Sequence, residues 1–194
     1  MELQGKRIGF ALTGSFCTFS KVLKEIEKLA DHGADICPIM SETVWATDTR
    51  FGNAKDFIEK IESITGKSII HTIKGAEPIG PGATLDALII APCTGNTLAK
   101  LAGAVSDSCV AMAAKATLRN SRPVILAIST NDGLGGSAKN IGTLLGRTNI
   151  YFVPFRQDDP ISKPDSLVAD MTLIEKTVKS ALDGHQIQPR LIVK

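Results

Sequence analysis

Strands alternating with helices over the whole length of the chain predict an α/β fold: three layers built on a doubly wound sheet of six parallel strands. Three observations carry that expectation. Ala87 to Ala91 is an apolar strand that breaks at Pro92-Cys93-Thr94-Gly95-Asn96-Thr97, after which Leu98, Leu101, Ala102 and Val105 resume at helical spacing. A second such unit follows, with a helical run from Ser108 to Leu118 and a buried strand, Pro123 to Ile128, that ends in Ser129-Thr130-Asn131. Near the N-terminus, Ile8-Gly9-Phe10-Ala11-Leu12 opens the same pattern and breaks at Thr13-Gly14-Ser15 before a helix.

Taken in order, Lys6-Arg7 leads into the first strand, and the opening MELQGKRIGFALTG lacks the small-residue cleavage site of a signal peptide. The first helix shows Val22, Leu23, Ile26, Leu29 and Ala30 on one face and ends at Gly33. Ala34 to Met40 is the second strand, where Pro38 suggests an irregular place in the ladder, and it ends in Ser41-Glu42-Thr43. Val44 to Gly52 is ambiguous. Asn53 caps a helix with Phe57, Ile58, Ile61 and Ile64 inward, closed by Gly66. Ser68 to His71 reads as a short third strand and Gly75 to Thr84 as a loop. After the fourth and fifth strands described above, Gly133 to Ser137 opens a short helix carrying Ile141, Leu144 and Leu145, and Ile150 to Val153 is the sixth strand. Beyond the polar Arg156 to Pro164, a last helix presents Leu167, Met171, Ile174, Val178 and Leu182, while the tail from His185 to Lys194 is too short to place.

The totals narrow the function classes. At 194 residues and 43% apolar, the chain suits one covered core, hence one domain over residues 1–194. A net charge of +2, with Lys and Arg scattered, offers no stripe for a nucleic-acid backbone. No apolar run approaches the roughly 20 residues of a membrane span, which makes a cytoplasmic chain the expectation. Cysteines 17, 37, 93 and 109 form no CxxC pair and have no His at metal spacing, so they read as reduced thiols with no structural metal.

In the commonest doubly wound order, 3-2-1-4-5-6, the switch point falls between strands one and four. The turns leaving those strands, Thr13-Gly14-Ser15 and Pro92 to Thr97, then face each other. Gly14-Ser15 offers free amides, a hydroxyl and a helix N-terminus, which suits a phosphate, or it is simply a tight turn. Phe16, Cys17 and Phe19 fill the place of the later glycines of G-x-G-x-x-G, disfavouring a dinucleotide and leaving a mononucleotide. Ser41 and Thr43 either complete the phosphate cradle or cap a helix; Glu42 sits where a ribose-binding acid would. Cys93 reads as a small packing residue beside a flat ring in preference to a nucleophile, because no His adjoins it as a base. Asp107 reads as a helix cap, and His32, His71 and His185 as surface or satisfied residues. Arg50, beside Trp45 after the second strand, can grip a carboxylate or stand as a surface cation.

Ala91 to Asp107, APCTGNTLAKLAGAVSD, resembles the second flavin motif of the homo-oligomeric flavin-containing cysteine decarboxylase-like flavoproteins, and Phe10 to Ser15, FALTGS, resembles their first. This family includes phosphopantothenoylcysteine decarboxylase and the flavin prenyltransferases, and the likeness spans roughly residues 6 to 155. It implies a Rossmann-like flavoprotein fold with FMN at the switch point. Gly14, Ser15, Ser41 and Thr43 would hold the phosphate, and Cys93, Thr94 and Thr97 would line the ribityl chain and ring. It also implies a closed homo-oligomer, trimer or dodecamer. The segments SETVWATDTRFG and STNDGLGGSAKNIG resemble one branch from spore-forming bacteria, which works in the mother-cell cytoplasm with a separate A chain carrying NAD(P) on a small dicarboxylate. That branch points to Asn131 near the reacting ring and to Arg50, with Arg147 second, at a carboxylate. The chain departs from the decarboxylases: of their P-x-M-N after the fifth strand only Asn131 remains, their catalytic His has no counterpart, and the Arg-Glu pair of the prenyltransferases is absent. A non-catalytic scaffold and an FMN-dependent decarboxylase are the alternatives.

Overall fold

The first strand, β1 (Arg7–Leu12), is buried at every residue after Arg7, as befits a central strand covered on both faces. The computed structural model describes residues 3–82 and 84–193. Met1 and Glu2 of the N-terminal lead-in, Ala83 of the 75–84 loop and Lys194 of the tail lie outside the described residues. After β1 come α1 (Phe19–Asp31), β2 (Asp35–Met40), α2 (Glu42–Ala46), α3 (Ala54–Thr65), α4 (Ile73–Ala76), β3 (Ala87–Cys93), α5 (Gly95–Ala102) and α6 (Cys109–Arg119). The chain continues through β4 (Val124–Thr130), α7 (Ala138–Leu145), β5 (Ile150–Phe152), β6 (Phe155–Asp159), β7 (Lys163–Ala169) and α8 (Ile174–Leu182).

The sheet runs β2-β1-β3-β4, all parallel, with β5 added in parallel beside the start of β4. Apolar runs such as Ala87 to Ala91 and Val124 to Ile128 are fully buried because helices cover both faces. Helices α1, α3 and α8 pack together as one layer, and α4 to α7 as another. Each large core side chain, Phe10, Ile8, Leu12 and Phe152 among them, contributes roughly 2 kcal/mol of burial.

Four expectations need correction. The third strand, Ser68 to His71, shrinks to one bridge, Ile39 to Ile70, although it lies on the outer side of β2 where the predicted order puts it. Pro38 causes no irregularity: β2 pairs with β1 residue for residue from Asp35 to Met40. The amide of Met40, two residues on, donates to Ile70 on the outer side, so the missing N–H of Pro38 faces that sparsely paired edge. Among the described residues the sheet has seven strands, because β6 and β7 form an antiparallel hairpin that pairs with the end of β4 at Ser129 and Thr130. Leu167 therefore lies on β7 and not on the last helix; its spacing of four from Met171 imitates a helical face.

Two further details frame the site. Val44 to Gly52 resolves into α2 and a tight turn, and Asp48 Oδ1, not the Asn53 side chain, accepts from the Ala54 amide at 2.8 Å to start α3. In the tail, the Gln186 side chain donates to and accepts from the Phe152 main chain at 2.7 Å each, continuing the ladder beyond β5.

Candidate functional site

Parallel strands that end together deliver their loops to one edge, and here hydroxyls tie those loops to each other. Thr13 Oγ1, buried at the end of β1, donates to the Pro92 carbonyl at 2.6 Å and accepts from the Thr94 amide at 3.1 Å. Ser15 Oγ lies 2.7 Å from Ser129 Oγ at the end of β4. The turns at 13–15 and 92–97 are thus joined directly, with β4 as the third wall.

Two cavities open on this edge. The larger, about 1310 Å³, is lined by Gly14, Ser15, Arg50, Thr94 and Asn131, among others. The smaller, about 260 Å³, is lined by Gly14, Ser41, Thr43, Thr94 and Thr97 together with Glu42 and Lys100. Gly14, Thr94 and Asn96 form the lip common to both. Helix caps shape the smaller cavity: Ser41 Oγ accepts from the Val44 amide at 3.4 Å, Thr94 Oγ1 from Thr97 at 3.4 Å, and Ser108 Oγ from Ala111 at 3.3 Å. Each cap leaves further first-turn amides at its helix start without an intrahelical partner.

Of the sequence candidates, Gly14, Ser15, Ser41, Thr43, Thr94, Thr97, Asn131 and Arg50 all line one cavity or the other. Cys93 does not. It is fully buried and touches neither cavity, and burial drives its thiol far above the ordinary range, so it is neither a ring-facing side chain nor a nucleophile. Asp107 does not cap α6, a role taken by Ser108. It bonds Lys100 at 2.7 Å, and the hydrogen bond from that ammonium holds its carboxyl below the usual value. Arg147 turns away and donates to the Leu101 carbonyl at 2.8 Å at the end of α5. Glu42 accepts from the Cys109 amide at 2.8 Å, tying α2 to α6. Burial first, and Glu42 second, push the Cys109 thiol up to about 12. Among the described residues no histidine lines either cavity: His32 pairs with Glu175 at 2.8 Å, and His71 stacks on Trp45 with centroids 3.7 Å apart.

The pattern reading missed the cations that line the larger cavity, Lys21 and Lys24 on α1 and Arg156 and Lys163 on the hairpin. The hairpin's alternation of exposed charges with Phe155, Leu167 and Ala169 was the signal available for the last two.

The Flavoprotein family model matches residues 1–180. The chain belongs to the flavoprotein family. This flavoprotein is 51% identical over 191 residues to the dipicolinate synthase B subunit of Bacillus subtilis (strain 168), covering 98% of this chain and 96% of that one. It superposes on the crystal structure of the dipicolinate synthase B subunit from Bacillus halodurans C with a TM-score of 0.92 and 49% identity, covering 100% of both chains. The FMN-dependent cysteine decarboxylase SpaF shares the fold at 17% identity, with a TM-score of 0.66 over 95% of this chain and 99% of that one.

The residues of this flavoprotein fit a flavin phosphate. A Cβ at Gly14 would meet nothing nearer than the Phe16 ring at 3.7 Å, so no internal packing demands glycine there. The missing side chain instead leaves the lip between the two cavities open. Hydroxyls of Ser15, Ser41 and Thr43 and first-turn amides supply donors around it.

Proposed function

We propose that this chain is the FMN-binding B subunit of a dipicolinate synthase. It works with a nicotinamide-dependent A chain, which carries NAD(P), to form dipicolinate (pyridine-2,6-dicarboxylate) from the dihydrodipicolinate-level product of the lysine pathway during sporulation. The observation that supports this best is the 51% identity to a dipicolinate synthase B subunit over nearly the whole chain. In this reading residues 1–194 act as one domain, in the mother-cell cytoplasm, within a closed homo-oligomer, a trimer or dodecamer.

FMN, when bound, supplies a two-electron acceptor. Gly14, Ser15, Ser41 and Thr43 hold its phosphate, while Thr94 and Thr97 line the ribityl chain. Removing two hydrogens from a dihydropyridine makes it aromatic, so the oxidation runs downhill and the chain's task is chiefly to hold the dianionic substrate in line. Arg50, exposed on the rim of the larger cavity, meets a carboxylate, and Asn131 faces the ring.

A second reading, a non-catalytic flavin-fold scaffold for the A chain, draws support from the lack, among the described residues, of any histidine lining the two cavities. An FMN-dependent decarboxylase is a weaker alternative for the same reason and predicts release of carbon dioxide. The deciding experiment compares turnover by the A chain alone with turnover by the A chain plus this chain, each with and without FMN. The proposal expects turnover only with both chains and FMN. Full turnover without FMN supports the scaffold, and full turnover by the A chain alone contradicts both.

A further inference from the structure

We propose that Asp132 is the positioning residue of the larger cavity: its carboxylate ties the end of β4 to Ser137 at the start of α7, against the first turn of α5, and thereby fixes Asn131. The inference deepens the reading of Asn131 as the group facing the substrate ring and rests on it. Asp132 Oδ1 accepts from Thr130 Oγ1 at 2.5 Å, and its two oxygens accept from Ser137 Oγ at 2.9 and 3.0 Å. Its main-chain carbonyl accepts from the amides of Gly135 and Ser137 at 3.0 and 3.1 Å. Residues 130–137 are closed into one loop by these bonds.

The same cluster abuts α5. A methyl on Gly95 would come within 2.6 Å of Ser137 Oγ and 2.8 Å of both Asp132 Oδ1 and Thr130 Oγ1, so only glycine lets the first turn of α5 seat there. Against that turn a carboxylate is the right group: it accepts from two hydroxyls at once, and its charge meets the positive end of the helix. Upstream, Ser129 is held to the phosphate loop through Ser15 at 2.7 Å. Asn131 is therefore flanked by anchored residues, while its own side chain is exposed on the cavity wall and forms no hydrogen bond with the described residues. Its amide is left to a ligand, with its direction set by its neighbours.

The test uses the full chain loaded with FMN and the variants Asp132→Ala, Asp132→Asn and Gly95→Ala. FMN affinity is expected to stay within about threefold of wild type in both Asp132 variants, because the hydroxyls of Ser15, Ser41 and Thr43 lie elsewhere, whereas Gly95→Ala, which shifts the first turn of α5, is expected to weaken FMN as well. Dipicolinate affinity, read from its perturbation of the flavin absorbance, is expected to fall about tenfold or more in Asp132→Ala and Gly95→Ala. Asp132→Asn is expected to recover most of that loss, since an amide keeps one acceptor and the hydroxyls can turn to meet it. Wild-type dipicolinate binding by Asp132→Ala, or a defect in Asp132→Asn as deep as that in Asp132→Ala, overturns the proposal. If wild type itself binds no dipicolinate, the proposed function falls alone and hydrogen exchange over residues 129–137 decides the clamp. Exchange roughly tenfold faster in Asp132→Ala than in wild type and Asp132→Asn supports it, and equal exchange in all three overturns it.

Discussion

Replacing Gly14 by valine should abolish tight FMN binding while leaving the fold intact. The nearest atom to a Cβ there is Phe16 Cε2 at 3.7 Å, an ordinary contact, and the backbone is not left-handed. Glycine at such a place loses freedom for no packing gain, so Gly14→Ala contributes roughly 0.4–1 kcal/mol in favour of folding. The extra methyls of valine project into the lip shared by the two cavities, where the phosphate is read to sit. A hydrogen bond to a charged group contributes roughly 1.5–3 kcal/mol, so each one displaced weakens FMN binding roughly tenfold to a hundredfold. Gly9 is the control. A methyl there would lie 2.5 Å from Leu85 Cδ1 and 2.8 Å from Leu88 Cδ1. Such overpacking costs about 1–3 kcal/mol and lowers the melting temperature by roughly 2–12 °C. The assay is quenching of Trp45, the sole tryptophan, which sits on α2, the short helix whose first residues line the smaller cavity, combined with thermal melts. Gly14→Val should melt like wild type and fail to quench, and Gly9→Ala should melt early and quench normally. A Gly14→Val protein that binds FMN as wild type does would place the phosphate away from this lip.

Other consequences can be checked on the same protein. Arg50→Ala should weaken dipicolinate binding by about tenfold in a titration while leaving FMN affinity unchanged; unchanged dipicolinate affinity removes Arg50 from the site. Native protein treated with a maleimide should gain one adduct by mass, at exposed Cys17, and four after unfolding, because Cys37, Cys93 and Cys109 are buried. At Glu175, burial pushes the carboxyl up, but hydrogen bonds from Lys179, Lys28 and His32 outweigh it and hold it at about 2. Its folded value lies below the unfolded one, so the stabilisation is present above about pH 4.5 and lost as pH falls toward 2. Melts between pH 7 and pH 3 should show wild type losing about 2 kcal/mol more than Glu175→Gln; parallel losses contradict the cluster.

The parallel half of the fold was legible because buried strands must be continuously apolar, and Ala87 to Ala91 and Val124 to Ile128 admit little else. The meeting of Gly14-Ser15 with Thr94-Gly95 followed from topology alone, since a doubly wound sheet brings the ends of its first and fourth predicted strands together. The hairpin was not legible in the same way. The unbroken exposed run from Pro160 to Asp165 interrupts the alternation, and Leu167 and Met171 fall at a spacing that helices share. Local pattern likewise could not choose between Asp107 and Ser108 as the cap of α6. Both suit the role, and the choice depends on Lys100, one helix away, which draws Asp107 off. Cys93 was misplaced because the strand continues to it, which buries its side chain behind the turn.

The claim on which the rest stands is that the ends of β1, β2 and β3 make a phosphate cradle at the edge of a cleft. Titration of the purified chain with FMN and with riboflavin, which differ only in the phosphate, measures that cradle through Trp45 quenching. The account predicts saturable binding of one FMN per chain, roughly tenfold or more tighter than riboflavin. Equal affinities for the two, or no saturable binding of FMN, would contradict it.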